Sequence, residues 1–248
     1  MIQSVGSTSY ERMAARYEQD RGGEGRARVI ADALRPWLTP GSVVADIGAG
    51  TGVIAGALID DDLDVVGVDI SMGMISRASA RLPGAVVLAD GEALPFRRGS
   101  MTTALFVWSL HHIGDPVSAL DEARRTISRG GRVIVVSATP EHSPDEVQLL
   151  FRRLDVLTPA REPDWITRAA FAAQLEPVAS THIEIDVERS PLDLARQIED
   201  RLYSPLWDLD AERWSMVVAP IIESLRDLEE PSRKRRATLR SPLFVFEG

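Results

Sequence analysis

A glycine-rich segment between two acidic residues has the composition of a cofactor-binding loop. The segment 46–52 reads Asp-Ile-Gly-Ala-Gly-Thr-Gly, follows an apolar run and precedes a helical pattern, and Asp69 comes about 20 residues after it. Glycines permit a tight turn and let the backbone approach a ligand closely. The helix that follows offers unpaired N–H groups at its start. The sequence therefore predicts a cofactor site directly after an early strand.

Two classes of cofactor fit this loop. Residues 50–55 match the G-x-G-x-x-G/A pattern of nicotinamide dinucleotide sites, and Asp69 stands at the distance that this pattern requires. Asp46, however, would lie close to a pyrophosphate and repel it, whereas it would attract an ammonium group. A second acidic segment, residues 89–96 (ADGEALPF), also favours a cationic or hydrogen-bond-donating cofactor. The acidic residues argue against the dinucleotide, which stays the alternative.

Short apolar runs alternate with helical patterns around these loops, and together they predict the elements that position them. Strands are predicted at 43–47, 65–68, 85–88, 103–107 and 132–137, with helices at 53–59, 72–82 and 116–128. This alternation is typical of a parallel sheet with helices on both faces. Two further strands, at 182–187 and 241–247, would complete the sheet. The predicted fold class is α/β: a Rossmann-like, doubly wound, seven-stranded and mostly parallel sheet.

The rest of the chain predicts helical additions to this sheet. Helical patterns cover 141–157 and 163–175, and Gly130-Gly131 is expected to end the helix before the fifth strand. The predicted domains are an N-terminal helical lid at 1–40, a Rossmann-like cofactor-binding domain at 41–190 and 230–248, and a helical cap insertion at 191–229 that contributes to an acceptor pocket.

The composition excludes several functions. The 248 residues include no cysteine, which rules out disulfides, thiolate metal ligands and cysteine nucleophiles. The net charge of −9 disfavours nucleic acid as a partner, despite the basic run at 233–236. No stretch approaches about 18 uncharged apolar residues, and residues 1–10 lack a signal-peptide pattern. We expect a cytoplasmic protein without a membrane partner; a homodimer through the C-terminal helices is compatible with the sequence.

Four motifs, in order, resemble those of class I (Rossmann-like) S-adenosylmethionine-dependent methyltransferases, in particular the ubiquinone/menaquinone and small-molecule branch. They are DIGAGTG at 46–52, VGVDIS at 66–71, ADGEALPF at 89–96 and SLHHIGDP at 109–116, with a weaker match at 127–136. The resemblance covers about residues 8–138. The resemblance implies that the protein is an enzyme. It would bind S-adenosylmethionine, transfer the methyl group to a small-molecule acceptor by in-line displacement and release S-adenosylhomocysteine. The alternative is an S-adenosylmethionine-binding protein of the same fold without methyl transfer, either a regulatory module or an enzyme of another reaction class.

The resemblance also implies roles for individual residues at the cofactor. Asp46 would hold the amino group, Asp69 the two ribose hydroxyls, and Asp90 the adenine amino group. The other predicted cofactor-binding residues are Tyr17, Arg21, Gly48, Ala49, Gly50, Gly52, Ile70, Met72, Met74, Gly91, Glu92 and Val107. Taken singly, Asp69 could be a helix cap, Asp90-Gly91 an ordinary turn, and the methionines core residues.

His111 is the candidate catalytic base if the acceptor must lose a proton. It follows the fourth strand, and an imidazole with an unperturbed pKa of about 6.5 suits that role. A structural role for the His-His pair is the alternative. Adjacent side chains on an extended segment point apart, so no metal site is predicted. Trp108, His112, Tyr203 and Trp207 are the predicted substrate-binding residues, although the aromatic residues of the insertion could instead pack it on the sheet.

Overall fold

The computed structural model describes residues 23–59, 62–137, 141–142, 145–158 and 161–248. Tyr17, Arg21 and most of the predicted lid at 1–40 lie outside the described residues. The described chain forms two compact units. The first contains 23–59, 62–137, 164–183 and 241–248, and the second contains 141–142, 145–158, 161–163 and 184–240.

Five parallel strands form the centre of the first unit. They are β1 (Val43–Ile47), β2 (Asp64–Asp69), β3 (Val86–Leu88), β4 (Met101–Val107) and β5 (Ile127–Val136). Their order in the sheet is β3-β2-β1-β4-β5. β1 and β4 are buried along almost their whole length, which explains why they read as continuous apolar runs rather than as alternating patterns.

Three strands follow β5 in the chain. They are β6 (Glu141–His142), β7 (Glu176–Arg189) and β8 (Arg235–Glu247). The C-terminal half of β8 pairs antiparallel with β5, from Arg132 opposite Glu247 to Val136 opposite Leu243, and β7 pairs with β8. The predicted α/β class with a seven-stranded, mostly parallel sheet is confirmed, and the two-residue β6 is an additional short strand.

Helices connect and cover these strands. They are α1 (Gly23–Leu34), α2 (Val53–Leu58), α3 (Met72–Ala78), α4 (Pro116–Thr126), α5 (Glu146–Arg152), α6 (Trp165–Ala172), α7 (Pro191–Glu199), α8 (Ala211–Arg213) and α9 (Ala219–Arg226). In the first unit α1 packs on α2, and α4 packs on α6. Polar caps define where α3 and α4 begin. Ser71 Oγ accepts from Met74 N before α3, and Asp115 Oδ1 accepts from Val117 N before α4.

The predicted helix stop at Gly130-Gly131 is wrong. α4 ends at Thr126, and both glycines lie within β5, where the register with β4 shifts. Gly130 has a φ of +75°, and a Cβ on Gly131 would lie 2.8 Å from Thr102 O. These glycines are required by an irregularity of the strand pair rather than by a helix end.

The second unit has its own apolar core, and its helices are shorter than the sequence pattern predicts. α5, α7 and α9 contribute the buried residues Val147, Leu194, Ala195, Ile198, Ile221, Ile222 and Leu225, with Leu154, Leu206 and Val218 from the intervening turns. The continuous helical pattern over 191–229 breaks after Asp200, where Arg201 has a φ of +55°. The unit also extends beyond the predicted insertion, since it includes 145–158 and the N-terminal part of β8.

The basic run at 233–236 lies at the start of β8 and is largely neutralised. Arg233 pairs with Glu230 at 2.9 Å, Arg235 pairs with Glu146, and Arg236 lies 3.6 Å from a carboxylate oxygen of Glu188. In the described part of the chain, no helix combines the length and the apolar character needed to cross a membrane.

Candidate cofactor site at the ends of the parallel strands

Two carboxylates lie at the C-terminal ends of the neighbouring strands β1 and β2. Asp46 is the fourth residue of β1 and pairs in register with Gly67, two residues before Asp69 ends β2. Asp46 is only 2% exposed, and no group among the described residues donates a hydrogen bond to its carboxylate. Burial, and secondly the charge of Asp69, raise its pKa to about 7. A buried acid in this state favours a cationic partner.

Asp69 connects the glycine loop to the start of α3. Its Oδ2 accepts from Gly50 N at 2.9 Å, and its Oδ1 accepts from Ser71 N at 2.8 Å. Burial raises the pKa of Asp69, and the backbone N–H groups oppose that shift. A backbone hydrogen bond from Ile70 also lowers this pKa. Since an ionised carboxylate offers about four acceptor positions, the fixed carboxylate can still accept from a ligand hydroxyl.

The glycine loop has a backbone conformation that requires glycine. Gly48, Gly50 and Gly52 have φ values of +76°, +56° and +74°. A Cβ on Gly48 would lie 2.4 Å from Cβ of Ser109, whose hydroxyl donates to Ile47 O at 2.5 Å. Ser109 therefore joins the loop after β4 to the end of β1. Ser109 was not among the predicted site residues, and its position inside the fourth motif was the only signal in the sequence.

Apolar side chains at the same edge of the sheet are unusually exposed. Ile70 is 44% exposed, Met72 55% and Leu88 47%. Large apolar side chains at this exposure beside two carboxylates are suited to contact a flat, apolar ring. Met74 differs: it is 1% exposed and belongs to the core, so its predicted cofactor contact is not supported by its position.

The acidic loop after β3 forms local hydrogen bonds. Asp90 Oδ1 accepts from Glu92 N at 3.0 Å, which is the turn-forming contact that the sequence left open for Asp90-Gly91. Asp90 itself is exposed and available to a ligand. The carboxylate of Glu92 is engaged elsewhere, because its Oε1 accepts from Asp115 N at 2.8 Å. Glu92 was predicted to contact the cofactor, and the structure directs it to the loop before α4.

The segment after β4 contains the predicted catalytic residue. Val107 ends β4, and Trp108 follows with a φ of +54°, an uncommon conformation for a bulky residue. The guanidinium of Arg26 lies over the Trp108 ring, 4.0 Å from its centroid. The next residues form a 3₁₀ turn, Leu110–His112, in which the rings of His111 and His112 lie 3.8 Å apart.

The prediction that the His111 and His112 side chains point apart is wrong, because Leu110–His112 is a 3₁₀ turn and not an extended segment. His111 is partly buried and His112 is exposed, so they differ in access to solvent. No group of three or more potential metal ligands converges within the described ranges. The expectation of a metal-free site stays a prediction.

The predicted substrate residues of the second unit pack within that unit. The Tyr203 hydroxyl donates to Gln197 Oε1 at 2.8 Å, and its ring meets Phe151 edge-on with centroids 4.7 Å apart. The carbonyl of Trp207 accepts from Arg201 at 3.3 Å. These contacts agree with the packing alternative, and contact of Tyr203 and Trp207 with an acceptor stays a prediction.

The part of the chain that carries Asp46 and Asp69 matches a known protein family. Residues 45–135 match the family described as "Methyltransferase domain". The predicted resemblance is confirmed. The matched segment runs from β1 to β5 and contains Asp46, Asp69, Asp90 and His111.

Curated relatives match about half of this chain. A demethylmenaquinone methyltransferase from Beutenbergia cavernae is 37% identical over 134 residues, which cover 53% of this chain and 55% of that protein. The chain spans about half the length of the curated relatives it matches.

Two solved structures share the fold at low sequence identity. An S-adenosylmethionine-dependent methyltransferase from Thermotoga maritima has a TM-score of 0.59 at 18% identity, covering 97% of this chain and 99% of that one. The [4+2]-cyclase SpnF has a TM-score of 0.62 at 18% identity, covering 95% of this chain and 94% of that one. Proteins named for different reactions therefore share this fold, and the reaction must be argued from the site.

Proposed function

We propose that the chain is an enzyme that binds S-adenosylmethionine at the strand ends of the first unit and transfers its methyl group to a small-molecule acceptor. The observation that carries the proposal is Asp46, a buried carboxylate next to Asp69 that accepts no hydrogen bond from the described residues. Such a pair attracts the ammonium group of a methionine moiety and repels a pyrophosphate. When bound, the cofactor would supply an electrophilic methyl group for transfer to the acceptor, with S-adenosylhomocysteine as the leaving group.

The residues at the edge of the sheet match the parts of this cofactor. Asp46 holds the ammonium group, Asp69 accepts from the ribose hydroxyls, and Asp90 accepts from the adenine amino group. The exposed side chains of Ile70 and Met72 cover the adenine ring. Gly48, Ala49, Gly50, Gly52, Gly91 and Val107 line the cofactor, and Tyr17 and Arg21, outside the described residues, close over its carboxylate.

The acceptor side of the site rests on the loop after β4. His111 removes a proton from the acceptor, and Trp108 and His112 contact it. Since a relative that is 37% identical over 134 residues is named for demethylmenaquinone, the aromatic diol formed by reduction of such a quinone is the first acceptor class to test. We further propose the domain assignment given by the sequence: a lid at 1–40, a cofactor-binding domain at 41–190 and 230–248, and a cap at 191–229.

The first test is a thermal-shift titration with S-adenosylmethionine, S-adenosylhomocysteine and NADH. A ligand that binds only the folded state stabilises it by about 2.7 kcal/mol at 100 times Kd. We expect both adenosyl compounds to raise the Tm and NADH to leave it unchanged. Stabilisation by NADH alone would instead identify a nicotinamide enzyme.

Two aspartates of β2 provide a matched pair for this titration. Asp69→Asn keeps an oxygen for the loop contacts but loses the charge, and we expect it to bind the adenosyl compounds at least tenfold more weakly. Asp64→Asn changes the same residue type at the exposed, opposite end of the strand and should bind as the wild type does. Equal loss in both variants would contradict a ligand at the C-terminal edge.

Turnover is tested separately from binding. Release of S-adenosylhomocysteine is measured with demethylmenaquinol as acceptor, for the wild type, His111→Ala and His182→Ala. We expect activity to fall at least 100-fold in His111→Ala alone, in the range typical for loss of a general base. Cofactor binding without turnover on any aromatic diol would favour a protein of this fold that does not transfer methyl groups.

A further inference from the structure

Three loops of the proposed site converge at Gly91 and Glu92. A Cβ on Gly91 would lie 2.9 Å from Ile113 Cδ1 and 3.2 Å from Ile47 Cγ2, so this glycine lets the loops after β1, β3 and β4 pack together. Beside it, Glu92 Oε1 accepts from Asp115 N and would lie 3.1 Å from a Cβ on Gly114. The carboxylate of Glu92 thus fits closely against the loop that carries His111.

A continuous series of hydrogen bonds passes through Glu92. Its N–H donates to Asp90 Oδ1 at 3.0 Å, so the orientation of the Asp90 carboxylate depends on Glu92. Its Oε1 accepts from Asp115 N at 2.8 Å. Asp115 Oδ1 in turn accepts from Val117 N at 3.0 Å and from Ser118 N at 3.3 Å, which starts α4. The loop after β3 and the loop after β4 are therefore joined by one side chain.

A second contact fixes the far end of the acidic loop to the same helix. Glu122 Oε2 accepts from Leu94 N at 2.9 Å, and Arg125 donates to Leu94 O at 2.9 Å and to Phe96 O at 2.8 Å. Glu122 and Arg125 also bind each other, with 2.6 Å between Arg125 Nε and Glu122 Oε1. Because residues 94–96 are held on α4 independently, Glu92 is left to set the position of the segment 109–115 relative to Asp90.

We propose that Glu92 is a positioning residue that couples the adenine-recognising loop to the loop carrying His111, so that binding of the adenosyl group orders the acceptor side of the site. The inference rests on the proposed function, and it reassigns Glu92 from a cofactor ligand to a link between loops. Cofactor bound at Asp90 restrains Glu92 through its N–H, and Glu92 restrains Asp115 through its carboxylate.

Hydrogen–deuterium exchange of the full chain, with and without saturating S-adenosylhomocysteine, tests this coupling. In the wild type we expect the ligand to protect segments 89–96 and 109–117. In Glu92→Ala, protection of 89–96 should persist, whereas exchange of 109–117 should be about fivefold faster and should no longer respond to the ligand. Glu92→Gln keeps an oxygen that accepts from Asp115 N, and it should restore most of the protection.

Two other variants separate coupling from direct binding. Asp90→Ala should weaken S-adenosylhomocysteine binding about tenfold in calorimetry, whereas Glu92→Ala should weaken it less than threefold. Gly114→Ala, which crowds the Glu92 carboxylate, should loosen 109–117 as Glu92→Ala does.

Several results would overturn the inference. Ligand-induced protection of 109–117 that is equal in the wild type and Glu92→Ala would show that no coupling passes through Glu92. If Glu92→Ala weakens S-adenosylhomocysteine binding as much as Asp90→Ala does, Glu92 is a cofactor ligand. If Glu92→Gln restores no protection of 109–117, Glu92 is a purely structural residue. A wild type that fails to bind S-adenosylhomocysteine refutes the proposed function instead; the ligand-free exchange of 109–117 in Glu92→Ala still tests the link to Asp115.

Discussion

The two units treat their polar side chains differently. At the strand ends of the first unit, Asp46 is buried with no hydrogen-bond donor in the described part of the chain, and Ile70 and Met72 are exposed. In the second unit, Arg201 Nη1 donates to three backbone carbonyls, and the Tyr203 hydroxyl donates to Gln197. Unmatched groups are costly unless a ligand completes them, whereas matched groups stabilise a fold. The comparison supports the proposed ligand site in the first unit, and Arg201 and Tyr203 of the second unit have partners within that unit.

The largest effect that this comparison predicts is a loss of stability when Arg201 is replaced. Its Nη1 lies 2.7, 3.3 and 3.1 Å from the carbonyl oxygens of Leu206, Trp207 and Leu209, and its guanidinium lies 4.5 Å from the centroid of the Trp214 ring. Arg201→Met keeps the aliphatic stem and leaves these carbonyls without their donor. We expect the free energy of unfolding to fall by about 2–3 kcal/mol, measured by urea denaturation followed by tryptophan fluorescence.

An exposed arginine of the same unit is the control for Arg201. Arg196 lies 3.9 Å from Asp193, and 64% of its side chain is exposed, so Arg196→Met should change stability by less than about 0.5 kcal/mol. Neither variant should alter the affinity for S-adenosylhomocysteine. A strong loss of affinity in Arg201→Met would break the division between a ligand-binding unit and a self-sufficient one.

The second prediction concerns pH and Asp46. Its pKa is 3.8 in the unfolded chain and about 7 in the ligand-free fold, so the fold holds a proton that the unfolded chain has lost. Stability should therefore fall as the pH rises from 3.8 to about 7 and level off above it. An ammonium ligand needs the ionised form, so its binding should release a proton below pH 7. We expect S-adenosylhomocysteine to bind about tenfold more weakly at pH 6 than at pH 8 in calorimetry.

Two variants decide whether Asp46 causes this pH dependence. Asp46→Asn removes the titrating group, so both the stability decline and the change in affinity should flatten. Asp64→Asn, at the exposed end of β2, should retain both. If Asp46→Asn keeps the full pH dependence of binding, another group takes up the proton and the ammonium contact is refuted.

The sequence predicted the first unit better than the second for a physical reason. The positions of Asp46 and Asp69 follow from local patterns, because a buried parallel strand has to end where its apolar run stops. The contacts of Glu92 and the contact between the His111 and His112 rings depend on how separate loops meet, which periodicity does not encode. In the second unit, Asp200-Arg201 and Pro205 interrupt the helical pattern, and only Pro205 is a signal that the sequence offered.

Gln148 of the second unit differs from Arg201 and Tyr203, because its buried side chain has no hydrogen-bond partner in the described part of the chain. Its substitution should have the smallest effect on stability among these predictions. Gln148 is 1% exposed on α5 of the second unit, and neither its Oε1 nor its Nε2 has a hydrogen-bond partner in the described part of the chain. If this unit binds no polar ligand there, Gln148→Met fills a similar volume without the desolvation cost, and unfolding should require about 1 kcal/mol more. Urea denaturation measures the change.

The matched variant Gln197→Met removes the acceptor of the Tyr203 hydroxyl and should instead lower stability by a similar amount. A loss of stability in both variants would mean that the amide of Gln148 is satisfied in solution, and Gln148 would then follow the pattern of Arg201 and Tyr203.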